Sequence, residues 1–141
     1  MSDADFPVVI YHNPNCGTSR NVLSMVRSVG YEPKVIEYLQ AGWSHEQLRE
    51  LAGEAGLTLS QLMREKGTPA EELGLLRDGV SEDQILDAMV AHPILVNRPL
   101  VVTPLGVKLC RPSEIVFELL ERKPESFTKE DGEVVHLTAQ P

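Results

Sequence analysis

Cysteine, aromatic residues and positive charge are all scarce in this chain, and each scarcity removes a class of explanation. The two cysteines among 141 residues, at positions 16 and 110, lie too far apart in sequence to form a disulfide framework. A reducing cytoplasm is therefore the expected setting. Aromatics make up 5%, and no apolar run approaches the ~18 residues that a bilayer span requires. Met1 to Pro7 shows no basic stretch leading into an apolar one, so no export signal is read there. Lys and Arg number 13 against 21 Asp and Glu, a net charge of −8. Such a surface is not made for nucleic acid, and any anion site must be assembled locally from a few cations. The four histidines, His12, His45, His92 and His136, show no ligand spacing, so no metal is expected.

What is present is an ordinary soluble composition, 42% hydrophobic and 24% charged, of a length suited to one domain. Its most informative stretch is Val8-Val-Ile-Tyr-His-Asn-Pro-Asn-Cys-Gly-Thr-Ser-Arg-Asn21. Val8 to Tyr11 have the β-branched and aromatic composition of a buried strand. Pro14 and Gly17 punctuate a turn. Val22, Leu23, Val26 and Val29 then recur on one helical face that Gly30 can close. Cys16 consequently falls at or just before a helix N-terminus, where unpaired N–H groups and the dipole favour a thiolate and can hold an anion. Cys can equally be a small buried hydrophobe. His12 and Arg20, both within reach as positive charge, favour a nucleophile.

Val35 to Leu39 supplies a second strand, and strand–helix–strand over so short a span is a right-handed βαβ unit. From about 44 to 92 the pattern is helical. Ser44–Gln47, Thr58–Gln61, Thr68–Glu71 and Ser81–Gln84 each fit a capping box, predicting four short helices in an inserted helical subdomain. Leu100–Thr103 and Val107–Cys110 around Pro104-Leu-Gly106 read as a hairpin. Arg111-Pro-Ser113 opens a closing helix with Ile115, Val116, Leu119 and Leu120 inward. From about Lys123 the chain is polar and is expected to be a loosely packed tail. The order β-α-β, insertion, β-β-α is that of the thioredoxin fold, an α/β layer with a small mixed sheet.

The functional edge of such a fold is the loop after the first strand. Arg64, Arg98 and Arg111 lie where they could face it, and guanidinium binds tetrahedral oxyanions through a bidentate fork. Taken singly, each is as readily a surface charge. Arg98 precedes Pro99, a position open to a cis bond.

The stretch Tyr11–Asn21, with His92-Pro-Ile-Leu-Val-Asn-Arg-Pro99 and Val101–Gly106 running on to Cys110-Arg-Pro-Ser-Glu114, resembles the glutaredoxin-dependent arsenate reductase family, over roughly residues 8 to 133. The resemblance implies reduction of arsenate to arsenite with glutathione as co-substrate, glutaredoxin as partner and no bound cofactor. It implies Cys16 as the nucleophile, His12 as the residue that keeps it ionised, and Arg64, Arg98 and Arg111 as the oxyanion ligands. Other readings are a phosphatase-like reductase, for which the three residues between Cys16 and Arg20 are too few, and a dithiol oxidoreductase, for which Ser19 stands where a second Cys would be. A non-enzymatic alternative is a transcription-factor adaptor of the same fold that binds RNA polymerase; an adaptor has no use for an oxyanion site. Strand alternation turns Cys110 away if Arg111 faces Cys16, so the resolving thiol is expected to come from outside.

Overall fold

The short apolar run ahead of Cys16 becomes β1, Val9–His12, whose inward residues Ile10 and His12 are buried while Val9 and Tyr11 are half-buried. A computed structural model describes residues 6–137 of the chain. Helix α1, Gly17–Ser28, buries Ser19, Val22, Met25 and Val26. It ends in a Schellman motif: Tyr31 N–H donates to Val26 O and Gly30 N–H to Arg27 O, with Gly30 at φ +94°. Strand β2, Lys34–Glu37, follows. It is shorter than expected, because Tyr38 leaves the strand to begin a one-turn helix, α2, Tyr38–Ala41, and buries its ring.

The chain divides into two compact units, one made of the chain up to Ile36 with the chain from Arg98, the other of Glu37–Asn97. The helical stretch read from sequence at about 44–92 lies within the second. There α3, His45–Ala55, α4, Leu59–Leu62, and α5, Glu82–Ala91, each start with the capping box that announced them. Each box satisfies two otherwise orphaned backbone donors, a contribution of about 1 kcal/mol per cap. The helix expected after Thr68 does not form. Thr68 Oγ1 donates to Arg64 O or Glu65 O at 2.8 Å and accepts from Ala70 N–H, closing a turn. Gly67, Gly74 and Gly79 all sit at positive φ through that segment, which breaks any helix. The core of this unit is Tyr38, Leu48, Leu62, Ile85, Leu86, Met89 and Leu95, each under 2% exposed. Tyr38 Oη donates to Val96 O at 3.2 Å.

In the first unit β3, Leu100–Thr103, and β4, Gly106–Leu109, form the expected hairpin. The sheet order is β2-β1-β3-β4, with β1·β3 and β3·β4 antiparallel in a mixed sheet. This is the thioredoxin-like arrangement. The closing segment is a 3-10 helix, Ser113–Leu119, rather than an α-helix; it buries Val116, Phe117 and Leu119 and packs against α1 and the β3–β4 hairpin. Its tighter winding turns Phe117 inward, a residue outside the α-helical stripe.

The tail is a correction to the sequence reading. Residues 126–128 and 134–136 pair as β5, Ser126–Thr128, and β6, Val134–His136. Phe127 and Leu137 pack on the core cluster of Phe6, Ile10, Val22, Met25 and Val101. Lys129, only 10% exposed, pairs with Glu114 at 2.9 Å. Two apolar anchors and a shielded ion pair dock a segment whose periodicity is too short to read. Residues 1–5 and 138–141, including the end of the expected polar tail, lie outside the described residues. No helix among the described residues is long and apolar enough to cross a membrane.

Candidate active site

Strand register assembles the site. Tyr11 pairs with Leu100 and Leu100 with Leu109, so the C-terminal end of β1, the start of β3 and the end of β4 share one edge of the sheet. The loop carrying Cys16 leaves the first, Arg98 and Pro99 precede the second, and Arg111 follows the third. The Arg98–Pro99 peptide is cis, as the sequence permits, and Arg111–Pro112 is cis as well. Cys110 N–H donates to Pro99 O at 2.9 Å, which extends the ladder past β4 and fixes where Arg111 begins.

The loop is held by its own polar groups. Asn13 accepts from Cys16 N–H through its carbonyl at 3.0 Å and from Asn15 N–H through Oδ1 at 2.9 Å. Asn13 N–H in turn donates to Ser19 Oγ at 3.1 Å, and Ser19 Oγ lies 2.6 Å from His12 Nδ1. His12, Asn13 and Ser19 are all buried. This knot joins the end of β1 to the first turn of α1 and leaves Cys16 as the N-cap residue of that helix.

Arg111 Nη1 donates to Arg98 O at 2.8 Å and lies 3.7 Å from Cys16 Sγ. The first contact aims the guanidinium, and the second places its charge on the sulfur. Cys16 is 7% exposed. That burial pushes the thiol up, but the Ser19 backbone N–H, hydrogen bonds from Arg98 and Arg111, and the charge of Arg98 outweigh it and bring the pKa from 9.0 to about 7. The cap lacks a side-chain hydrogen bond of ordinary geometry, so the Ser19 N–H acts on the sulfur chiefly as an oriented dipole. At neutral pH a large fraction of Cys16 is thiolate, with two guanidinium groups beside it. That is a nucleophile next to an anion receptor.

The structure thus brings Cys16, Arg98 and Arg111 together, with His12 reaching them by way of Ser19. Arg64 belongs to the second unit, where Nε donates to Lys66 O at 3.1 Å and Nη1 to Asn97 Oδ1 at 3.3 Å. Cys110 is fully buried in the core of the first unit. Burial pushes its thiol up to about 12. Neither cysteine is in a disulfide.

Sequence reasoning missed Ser19, weighed there only as the residue that breaks a dithiol motif. The available signal was its position three residues after an N-cap, where a backbone N–H points at the capping side chain. Asn13 was missed too, although Asn followed by Pro is a turn former with a side chain suited to bracing the loop.

The ArsC family profile matches residues 11–119. Over 129 residues the chain is 56% identical to arsenate reductase ArsI2 of Synechocystis, covering 91% of this chain and 92% of that one. It is 53% identical to an arsenate reductase of Escherichia coli, with the same coverage of both chains. Among solved structures, an arsenate reductase from Vibrio cholerae superposes with a TM-score of 0.77 at 40% identity, covering 82% of this chain and 98% of that one. Match, coverage and fold agree: the chain belongs to the ArsC family.

Proposed function

We propose that the protein reduces arsenate to arsenite through a covalent adduct on Cys16 that glutathione and glutaredoxin resolve. The observation that carries this reading is the Cys16 thiol, lowered to about 7 with Arg98 and Arg111 donating to it. A thiolate that needs two guanidinium neighbours is suited to attacking an anion, because the same cations offset the charge of the incoming oxyanion. The arsenate reductase relatives, at 50 to 56% identity, make arsenate the substrate of choice.

In this mechanism arsenate docks against Arg98 and Arg111. The Cys16 thiolate attacks arsenic, an S–As bond forms, and one As–O bond breaks with its oxygen leaving as water after protonation. A glutathione thiolate then attacks Cys16 Sγ. The new S–S bond forms as the S–As bond breaks, its electron pair passing to arsenic, which departs as arsenite. Glutaredoxin attacks the glutathione sulfur of the mixed disulfide and frees Cys16 as thiolate. Two thiols are oxidised for each arsenic reduced from the pentavalent to the trivalent state. No step calls on a metal, and the cytoplasm, where glutathione is abundant, is the setting it needs. His12 holds Ser19, and through it the N–H that favours the thiolate.

The test is arsenate-dependent NADPH consumption with glutathione, glutaredoxin and glutathione reductase. Turnover that requires all three additions and arsenate is expected. Consumption that is independent of glutaredoxin, or absent with every component present, would overturn the proposal.

A further inference from the structure

The C-terminal hairpin ends beside the nucleophile. Its tip carries Glu130, whose carboxylate takes two hydrogen bonds from Arg20 in the first turn of α1, Nε to Oε2 at 3.1 Å and Nη2 to Oε1 at 2.7 Å. The remaining guanidinium nitrogen, Nη1, donates to Pro14 O at 2.8 Å, inside the Asn13–Cys16 loop. Glu130 N–H donates to Asn21 Oδ1 at 3.0 Å, so backbone and side chain of one hairpin residue are both fixed to α1. A Cβ on Gly17, next to Cys16, would stand 3.2 Å from Glu130 Oε1. The carboxylate therefore passes over the first residue of the helix.

We propose that Glu130 is a positioning residue for the nucleophile: it holds Arg20 so that the guanidinium braces the Pro14 carbonyl and keeps its charge towards Cys16. An exposed Arg–carboxylate pair contributes little to stability by itself, and Arg20 and Glu130 are 46% and 45% exposed. What the pair does supply is orientation, since all three guanidinium nitrogens are committed and the fork cannot swing. The hairpin is rigid enough to impose this. Lys129 next to Glu130 is tied to Glu114 and Glu133, and Phe127 is seated on the core. Glu130 foremost, and the Cys16 sulfur more weakly, favour the charged form of Arg20.

The sign of one shift decides the matter. The groups acting on Cys16 are Arg98 and Arg111 on the sheet edge, with His12 joined through Ser19, and Arg20 on α1 interacts with it more weakly; Glu130 faces Arg20, with Asp131 beside it on the hairpin. A bare carboxylate near a thiolate raises the thiol pKa, so deleting Glu130 as a mere charge moves the pKa down. Deleting it as the anchor of Arg20 moves the pKa up, because a cation is released to solvent. The inference rests on Cys16 as the reactive thiol, but the readout needs no arsenate. A failed arsenate assay and a failed result here are therefore separate outcomes.

The experiment measures the rate of Cys16 carboxamidomethylation by iodoacetamide against pH, with mass spectrometry to assign the site, in wild type, Glu130→Ala, Arg20→Ala and the double variant. The expected result is an upward shift of the midpoint by about 0.3 to 0.5 units in each single variant, and a double variant no higher than Arg20→Ala. A downward or absent shift in Glu130→Ala would overturn the proposal, and so would shifts that add in the double variant.

Discussion

The two cysteines occupy opposite ends of the chemistry open to a thiol. Cys16 and Cys110 are both buried, at 7% and 0% exposure, and both belong to the same unit. Yet one thiol comes down to about 7 and the other goes up to about 12. Burial acts in the same direction on each, against the thiolate. At Cys110 the positive charge of Lys108 answers it only weakly and Glu118 adds to it. At Cys16 the Ser19 N–H, Arg98 and Arg111 all answer it. The contrast teaches that reactivity here comes from donors aimed at the sulfur and not from exposure. Sheet register supplies two of those donors, Arg98 and Arg111, and the alternation that turns Arg111 to Cys16 turns Cys110 into the core.

The largest break in that contrast comes from exchanging the sulfurs for oxygen one at a time. Cys16→Ser is expected to lower arsenate turnover by at least about a thousandfold, since a serine hydroxyl is not ionised at neutral pH and the nucleophile is gone. Cys110→Ser should retain most activity in the same coupled assay. Loss of turnover in the second variant with an intact fold would make Cys110 a participant.

Removing the donors comes next. Arg98→Ala and Arg111→Ala should each lower kcat/KM for arsenate by about ten- to a hundredfold, the range of one charge-assisted hydrogen bond. The Arg→Lys variants should recover part of it where charge alone is needed. Steady-state kinetics on the four variants will show whether fork or charge matters at each position.

His12→Ala should have a smaller effect, raising the midpoint of Cys16 alkylation by about half a unit. Its Nδ1 sits on Ser19 Oγ, so losing it loosens the N–H that faces the sulfur. A Ser19→Ala variant should reproduce the shift, and a midpoint unchanged in both would remove the His12–Ser19 link from the site.

A further expected effect is on stability against pH. Cys16 titrates at about 7 when folded and at 9.0 in an ordinary environment. A group whose folded pKa is depressed contributes stability that is complete above 9.0 and lost as the pH falls through 7. Wild type should therefore gain thermal stability relative to Cys16→Ser as pH rises from 7 to 9, with no such divergence below pH 6. Melting curves across that range check the sign.

Much of this was legible in local pattern. The strand–loop–helix around Cys16 declared itself through an apolar run, a Pro/Gly turn and helical spacing, and the Ser44, Thr58 and Ser81 boxes marked true helix starts. Thr68 carried the same signature and failed, because a capping box states what a helix start would look like and the glycines that follow forbid the helix. The hairpin at β5 and β6 was illegible for another reason: its strands are three residues long, and it is held by Phe127, Lys129 and Glu130 through partners outside it, those of Glu130 lying 109 and 110 residues away in sequence. Arg98 and Arg111 could be suspected from composition and from resemblance. Their approach to one sulfur follows only from the pairing of Leu100 with both Tyr11 and Leu109.

The most direct measurement follows both thiols in one sample: alkylation by iodoacetamide from pH 5 to 10, quenched at short times and resolved by peptide mass spectrometry. Cys16 should be modified with a midpoint near 7 while Cys110 stays unmodified throughout. A Cys16 midpoint at 9.0 or above, or Cys110 modified at a comparable rate in folded protein, would contradict the assignment of Cys16 as the donor-activated nucleophile.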